Sequence, residues 1–501
     1  MYVLCVSKRS KLMKAKCRIY VLIITLIGCF GLAHSQPAGK IAKAIAFRTL
    51  KFKPSVGDSI DYEYGFLKVP ENRKVTGTHE IELAVLRLKA KKPTTRSPIL
   101  FLSGGPGQSG ISYIQEEYFQ TLIFNLQEDH DIILLDQRGS GRSKPGLEFP
   151  LPDADNRNIF LDEKRAIKLH NEAAAVGLTD FKKRGIDITG YNTIQNAEDL
   201  NDLRIALKAE KLNLLAYSYG THLALALARE HASSIDQMIF IGTSGPNDIH
   251  HLPFNYDKQL IRISALAAQD SVINRQVPDM LALLKSQLKK LAAKPVVIAV
   301  KDQRFKKVVQ VPISKFGLQL ILRLDVGDSN DFIYFPAMLY GMQQGDYRIL
   351  QRYVERRYNQ FNGGYGSGIS AMRQASGATP ERYAQIRSQG KTAILGNSMN
   401  TPDIYGGWQN IDLGETFRSN FKCDLPTLFV SGTLDSNTPV SNVEALLPWF
   451  SQARQLNVEN AGHEDMLPNA EVQKEIIRFF RKTEPIRTSI SLPRPRFVSF
   501  F

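Results

Sequence analysis

Cysteine is scarce in this chain: four in 501 residues. Three of them, Cys5, Cys17 and Cys29, fall within the first 35 positions. A chain cut after Ser35 keeps only Cys423, which excludes an internal disulfide framework. Cys423 has no histidine close by in sequence and reads as a small buried residue rather than a reactive thiol. Long apolar runs are also lacking. The segment Ile19 to Phe30 falls short of the ~20 residues a spanning helix needs, so no stable membrane span is expected. Acid is missing from the first 35 residues, which carry Lys8, Arg9, Lys11, Lys14, Lys16 and Arg18 out of a formal net charge of +15. The remaining basic excess forms no dense stripe interleaved with aromatics, which argues against nucleic-acid binding. Metal and cofactor patterns are missing as well. The neighbours His250 and His251 have no matching spacing partner, and suit a hinge better than a metal site. The run from Gly139 through Gly141 to Lys144 lacks the third glycine of a dinucleotide fingerprint. No cofactor is expected, and no internal repeat is visible.

The N-terminus has the layout of an export signal. A basic stretch precedes the apolar segment, and Ala33-His34-Ser35 offers small residues at the −3 and −1 positions of a cleavage site. The expected signal peptide covers 1–35, with Met13 as an alternative start, and the mature protein is expected in the periplasm or secreted. Leu26-Ile27-Gly28-Cys29 resembles a lipobox, which offers a lipid anchor at Cys29 as the rival reading.

Past the signal, short apolar runs alternate with helical patterns. Tyr62 to Val69 and Glu80 to Leu88 alternate as an antiparallel pair at a sheet edge. Pro98 to Leu102, Asp131 to Leu135, Leu212 to Ala216 and Met238 to Ile241 are short apolar strands with Gly-rich ends. A helix is expected over Thr193 to Ala209. From about Asn247 to Phe421 helical periodicity takes over, with an option for a short hairpin near Pro295 to Val311. Strands and helices resume at Leu425. The expected fold class is α/β: a mostly parallel central sheet flanked by helices, with a large mainly helical cap. The expected parts are a core from 36 to 246, a cap from 247 to 421, a second core part from 422 to 482, and a tail from 483 to 501 with no clear period.

One serine organises the chemistry. Ser218 sits where the apolar run ends and a helical pattern starts, between the small residues Ala216 and Gly220. A serine at such a sharp strand-to-helix turn is a nucleophile elbow. Its hydroxyl needs a histidine to take the proton and a carboxylate to orient that histidine. In this architecture the order along the chain is serine, acid, histidine. Of nine histidines, only His463 follows the resumed sheet. Asp435 lies on the loop after the strand from Leu425 to Val430. The oxyanion donors are expected to be the backbone N–H groups of Tyr219 and of the Gly104-Gly105 loop, Gly105 being preferred. Asp136 and Arg138, at a strand end, suit a structural role better than direct chemistry.

The motifs together resemble the α/β-hydrolase peptidases of the prolyl aminopeptidase and tripeptidyl aminopeptidase group. Gly104-Gly105-Pro106-Gly107, Asp136-Gln137-Arg138-Gly139-Ser140-Gly141, Ser218-Tyr219-Gly220-Thr221 and the run from Gly432 to Pro439 carry the resemblance. Ser103 stands where a histidine often opens the Gly-Gly-Pro-Gly loop, and Ala216 stands at the first elbow glycine. The resemblance implies cap acids for the free α-amine of a peptide. No cap motif matches, and Asp325, Asp328 and Asp331 are candidates only, a solvated loop being the simpler reading. The expected protein is an exported serine aminopeptidase with Ser218, His463 and Asp435 as its catalytic residues. It would release proline or a short peptide. An esterase or other small-molecule hydrolase on the same scaffold is the first alternative, and a non-catalytic binding protein the second.

Overall fold

The computed structural model describes residues 44–500 apart from 56, 154, 155, 484 and 485. The expected signal over 1–35, with Met13 and Cys29, lies outside the described residues. The strands of the first part are β1 (Arg48–Phe52), β2 (Ile60–Pro70), β3 (Glu80–Leu88), β4 (Ile99–Leu102), β5 (Ile132–Leu135), β6 (Glu148–Pro150), β7 (Leu212–Tyr217) and β8 (Ile235–Ile241). Then follow β9 (Val296–Asp302), β10 (Lys307–Ile313) and β11 (Tyr365–Ser367), and finally β12 (Thr427–Gly432), β13 (Ala453–Glu459) and β14 (Ser489–Ser491).

Ten of these form one sheet in the order β1-β2-β3-β5-β4-β7-β8-β12-β13-β14. The run from β5 to β14 is parallel. The pairs β1–β2, β2–β3 and β3–β5 are antiparallel. Strands β4, β5, β7 and β12 are buried along their whole length. That is why they read as nearly continuous apolar runs, broken only by buried polar residues such as Asn213 in β7 and Thr427 in β12: helices cover both faces. Helices Thr193–Ala206, Tyr219–His231 and Val440–Leu446 bury one face through residues such as Leu200, Leu223 and Val443. Helices Glu117–Leu126 and Ala470–Phe480 bury the other through Phe119, Leu122 and Ile476.

The β2–β3 pair is not the sheet edge. Strand β1 pairs outside it, from Arg48 opposite Tyr64 to Phe52 opposite Ile60. Of its five residues only Leu50 and Phe52 are half-buried, packing on the sheet core with exposed Lys51 between them, an alternation too short to read as a strand.

The cap has a core of its own. Helices Pro253–Ala268, Met280–Ala293, Lys315–Asp325, Phe335–Gln343 and Arg348–Phe361 pack through Leu260, Leu284, Ile321, Met338 and Val354. Strands β9 and β10 form an antiparallel hairpin with Val300 opposite Val309. Residues from the first half of the chain join this layer. Strand β6 pairs with β11. The 22-residue helix Glu163–Arg184, capped by Asp162 and by Gly185 at φ 70°, packs its Phe181 ring on Trp408 at 6.1 Å. The tail takes a place in both layers. It adds β14 to the sheet, then the Val498 N–H donates to the Ile333 carbonyl and Phe500 meets Tyr340 at 5.6 Å.

Candidate active site

Ser218 occupies a strained turn at φ 53°, ψ −121°, between β7 and the helix Tyr219–His231. Only a small residue fits behind it. A Cβ on Gly220 would lie 2.1 Å from the Leu102 carbonyl oxygen. Ala216 is buried in β7 and fills the other small position without crowding. The loop after β4 lies over the nucleophile: a Cβ on Gly104 would sit 3.1 Å from the Ser218 Cβ.

The structure brings Ser218, Asp435 and His463 together from three loops at the carboxyl ends of β7, β12 and β13. His463 Nε2 is 3.0 Å from Ser218 Oγ, and Nδ1 is 2.8 Å from Asp435 Oδ2. Asp435 is buried and its other contacts are all donors. The N–H groups of Asn437 and Thr438 bond Oδ1 at 2.8 and 2.9 Å, and the Thr438 hydroxyl donates to Oδ2. Burial alone would raise the Asp435 pKa. The His463 charge and its hydrogen bond, with the Thr438 donors, outweigh burial and hold the carboxyl below its usual range. Burial alone would lower the His463 pKa. The Asp435 charge and hydrogen bond outweigh that and hold the imidazole above its usual value. Tyr217 stacks on the His463 ring at 5.3 Å and donates its hydroxyl to Glu464 Oε2 at 2.7 Å. The Gly327 carbonyl, from the cap, accepts the His463 N–H at 2.9 Å. The imidazole is thus fixed on its edges and on one face. This arrangement can move a proton from the Ser218 hydroxyl to His463.

Ser218 and His463 open into a cavity of about 400 Å³ whose wall includes Gly105 and Tyr219. Arg373, on the cap helix Ser370–Ser376, donates to the Gly105 carbonyl at 2.6 Å and so ties the cap to that loop. Neighbouring loop residues are structural. Asp136 accepts from Ser109 Oγ at 2.6 Å and from the Ile111 and Arg142 N–H groups at 3.0 and 2.8 Å. Arg138 is fully buried, holds Asp199 through two bonds of 2.7 Å, and donates to the Glu71 and Gly190 carbonyls.

The three cap aspartates do not line the cavity. Asp325 is buried against Arg356 and Arg357, and Asp331 also pairs with Arg356. Asp328 caps the short helix Ser329–Phe332. Neither exposed-loop acids nor amine ligands describe Asp325 and Asp331; ion pairs with Arg356 and Arg357 do, and in them only Asp325 is fully buried. The carboxylate on the cavity wall is Glu464, which follows His463 directly and carries no motif of its own in the sequence. His250 is buried between the Tyr383 and Tyr405 rings, whereas His251 reaches the cavity and bonds Tyr256. Arg323 and Arg373 are further wall residues without a sequence signal.

The family described as alpha/beta hydrolase fold matches residues 97–470. The chain belongs to that family. This hydrolase is 32% identical over 190 residues to serine protease Hip1 of Mycobacterium tuberculosis, covering 36% of each chain. It is 27% identical over 192 residues to a tripeptidyl aminopeptidase of Streptomyces coelicolor, covering 36% of this chain and 35% of the relative. The hydrolase thus aligns with little more than a third of the length of either relative.

Proposed function

We propose that the protein is an exported serine aminopeptidase acting through an acyl-enzyme on Ser218. The observation that carries the reading is the unbroken chain from Asp435 through His463 to Ser218 at the cavity wall. His463 Nε2 takes the hydroxyl proton as Ser218 Oγ adds to the scissile carbonyl. The oxygen, now negative, is held by the N–H groups of Tyr219 and Gly105. His463 then returns the proton to the leaving amine as the C–N bond breaks. A water, deprotonated by the same imidazole, releases the acyl group and regenerates Ser218.

Peptide chemistry is supported by the relatives named serine protease and tripeptidyl aminopeptidase. A short N-terminal segment is supported by the small cavity beneath the cap, and Glu464 offers a carboxylate to a free amine. The basic and apolar N-terminal stretches support export. The decisive experiment sets tripeptidyl and prolyl naphthylamides beside short-chain esters, with a fluorophosphonate probe on the same preparation. Amide cleavage with Ser218 labelled is the expected result. Ester turnover alone would replace the peptidase with an esterase, and no labelling of Ser218 would remove the catalytic reading. Mass analysis of exported protein should show a chain beginning after Ser35; a lipidated Cys29 would replace that cleavage site.

A further inference from the structure

Four largely buried arginines of this protein hold carboxylates. Arg138 holds Asp199, Arg382 holds Asp248, Arg418 holds Asp412, and Arg357 holds Asp325. Arg323 breaks the pattern. It projects from the cap helix Lys315–Asp325 into the wall of the Ser218 cavity. Its Nε is buried with no hydrogen-bond partner, and among the described residues no carboxylate pairs with it. Its guanidinium lies 5.7 Å from the Tyr256 ring centroid, and the Tyr256 hydroxyl bonds His251 Nδ1 at 2.6 Å. The Tyr256 ring therefore gives the guanidinium a cation–π contact.

The rest of the wall does not compensate the charge. Arg373 donates to the Gly105 carbonyl, which is neutral. Glu464, the carboxylate of the wall, accepts the Tyr217 hydroxyl and forms no ion pair with Arg323. His251 is kept uncharged by burial and by the nearby Arg323 and Arg373, and burial lowers the His170 pKa too. A guanidinium with a buried, unused Nε donor at a cavity wall is completed by an anion, and its planar fork matches a carboxylate best.

We infer that Arg323 is the carboxylate-binding residue of the substrate cavity, so that the hydrolase prefers substrates carrying a carboxylate within reach of the scissile bond. The inference rests on the proposed serine chemistry at Ser218. Two sources share this ligand chemistry: an acidic side chain, or the free α-carboxylate of a short peptide.

The test compares two matched pairs. One is a glutamyl against a glutaminyl naphthylamide; the other is a tripeptide with a free C-terminus against its C-terminal amide. At least one pair should show a preference for the carboxylate in kcat/KM of roughly 10- to 100-fold, the span of a charge-assisted hydrogen bond. Arg323→Gln should abolish that preference, bringing kcat/KM for the carboxylate partner to within about threefold of the neutral one. Arg323→Lys should keep part of it, and a thermal unfolding profile like that of the unsubstituted protein shows that both variants fold. The pair that responds identifies the source. No preference in either pair, or a preference untouched by Arg323→Gln, overturns the inference. Calorimetric binding of the same two pairs to Ser218→Ala reads the preference without turnover. Failure of the serine chemistry would leave that binding difference intact, whereas failure of the Arg323 assignment would erase it.

Discussion

The sheet core and the helical cap treat charge differently around one cavity. In the core, Asp435 and Arg138 are each saturated by their own chain. Asp435 has His463, Thr438 and two N–H donors, and Arg138 has Asp199 and backbone carbonyls on every side. In the cap, Arg323 reaches the same cavity with a buried donor unused. The contrast separates two tasks. A proton relay must have one geometry before substrate arrives, so neighbouring loops over-determine it. A recognition group is completed by the ligand, so the fold leaves a place open. The cap also closes over the core chemistry: Gly327 holds the His463 backbone and Arg373 holds Gly105.

The strongest way to break this division is at the nucleophile. Ser218→Ala should lower kcat by about five orders of magnitude while leaving the thermal unfolding profile nearly unchanged. Activity retained in a preparation free of other hydrolases would dissolve the relay. Asp435→Asn comes next, with a loss on the order of 10⁴ in kcat, because the imidazole loses the partner that sets its tautomer. The third test is structural. Arg138→Leu leaves Asp199 buried with only Arg73 beside it, and should cost about 3–5 kcal/mol by denaturant unfolding. A near-neutral result would show that the core pair is not saturated as described.

Proton linkage sharpens the comparison further. His463 must be neutral to accept the Ser218 proton, and its pKa is raised by Asp435. The acid limb of kcat/KM should therefore lie above the ordinary imidazole value of about 6.5, with activity lost as pH falls through it. In Asp435→Asn the residual activity should show that limb moved down, because the raising charge is gone. A limb that stays put would assign it to another group. The smallest effect belongs to the cap. Arg356 is half exposed, and Asp325 keeps Arg357 when it is removed. Arg356→Ala should cost less than about 1 kcal/mol in the same unfolding assay.

Much of the core is legible in the amino-acid sequence. Strands buried on both faces appear as mainly apolar runs, so β4, β5, β7 and β12 stand out, and the loop residues after them follow in order. Ser218, Asp435 and His463 are readable because the architecture constrains which segments can carry them. Strand β1 is not, because its apolar pattern is only Leu50 and Phe52. The helix Glu163–Arg184 and the tail are not, because their places depend on Trp408, Ile333 and Tyr340 far along the chain. The cap aspartates mislead as candidates because a carboxylate in sequence looks the same whether it faces a ligand or the Arg356–Arg357 pair.

By itself the sequence determined the sheet-and-helix alternation, the elbow at Ser218 and the order of its partners, since these follow from local periodicity and from one chain passing through one sheet. The tertiary structure alone decided which side chains surround the Ser218 cavity. Glu464, Arg323 and Arg373 meet in one cavity only because loops and cap helices distant in the chain converge there. Whether an arginine is neutralised or left open is a property of what folds against it, not of its neighbours in sequence.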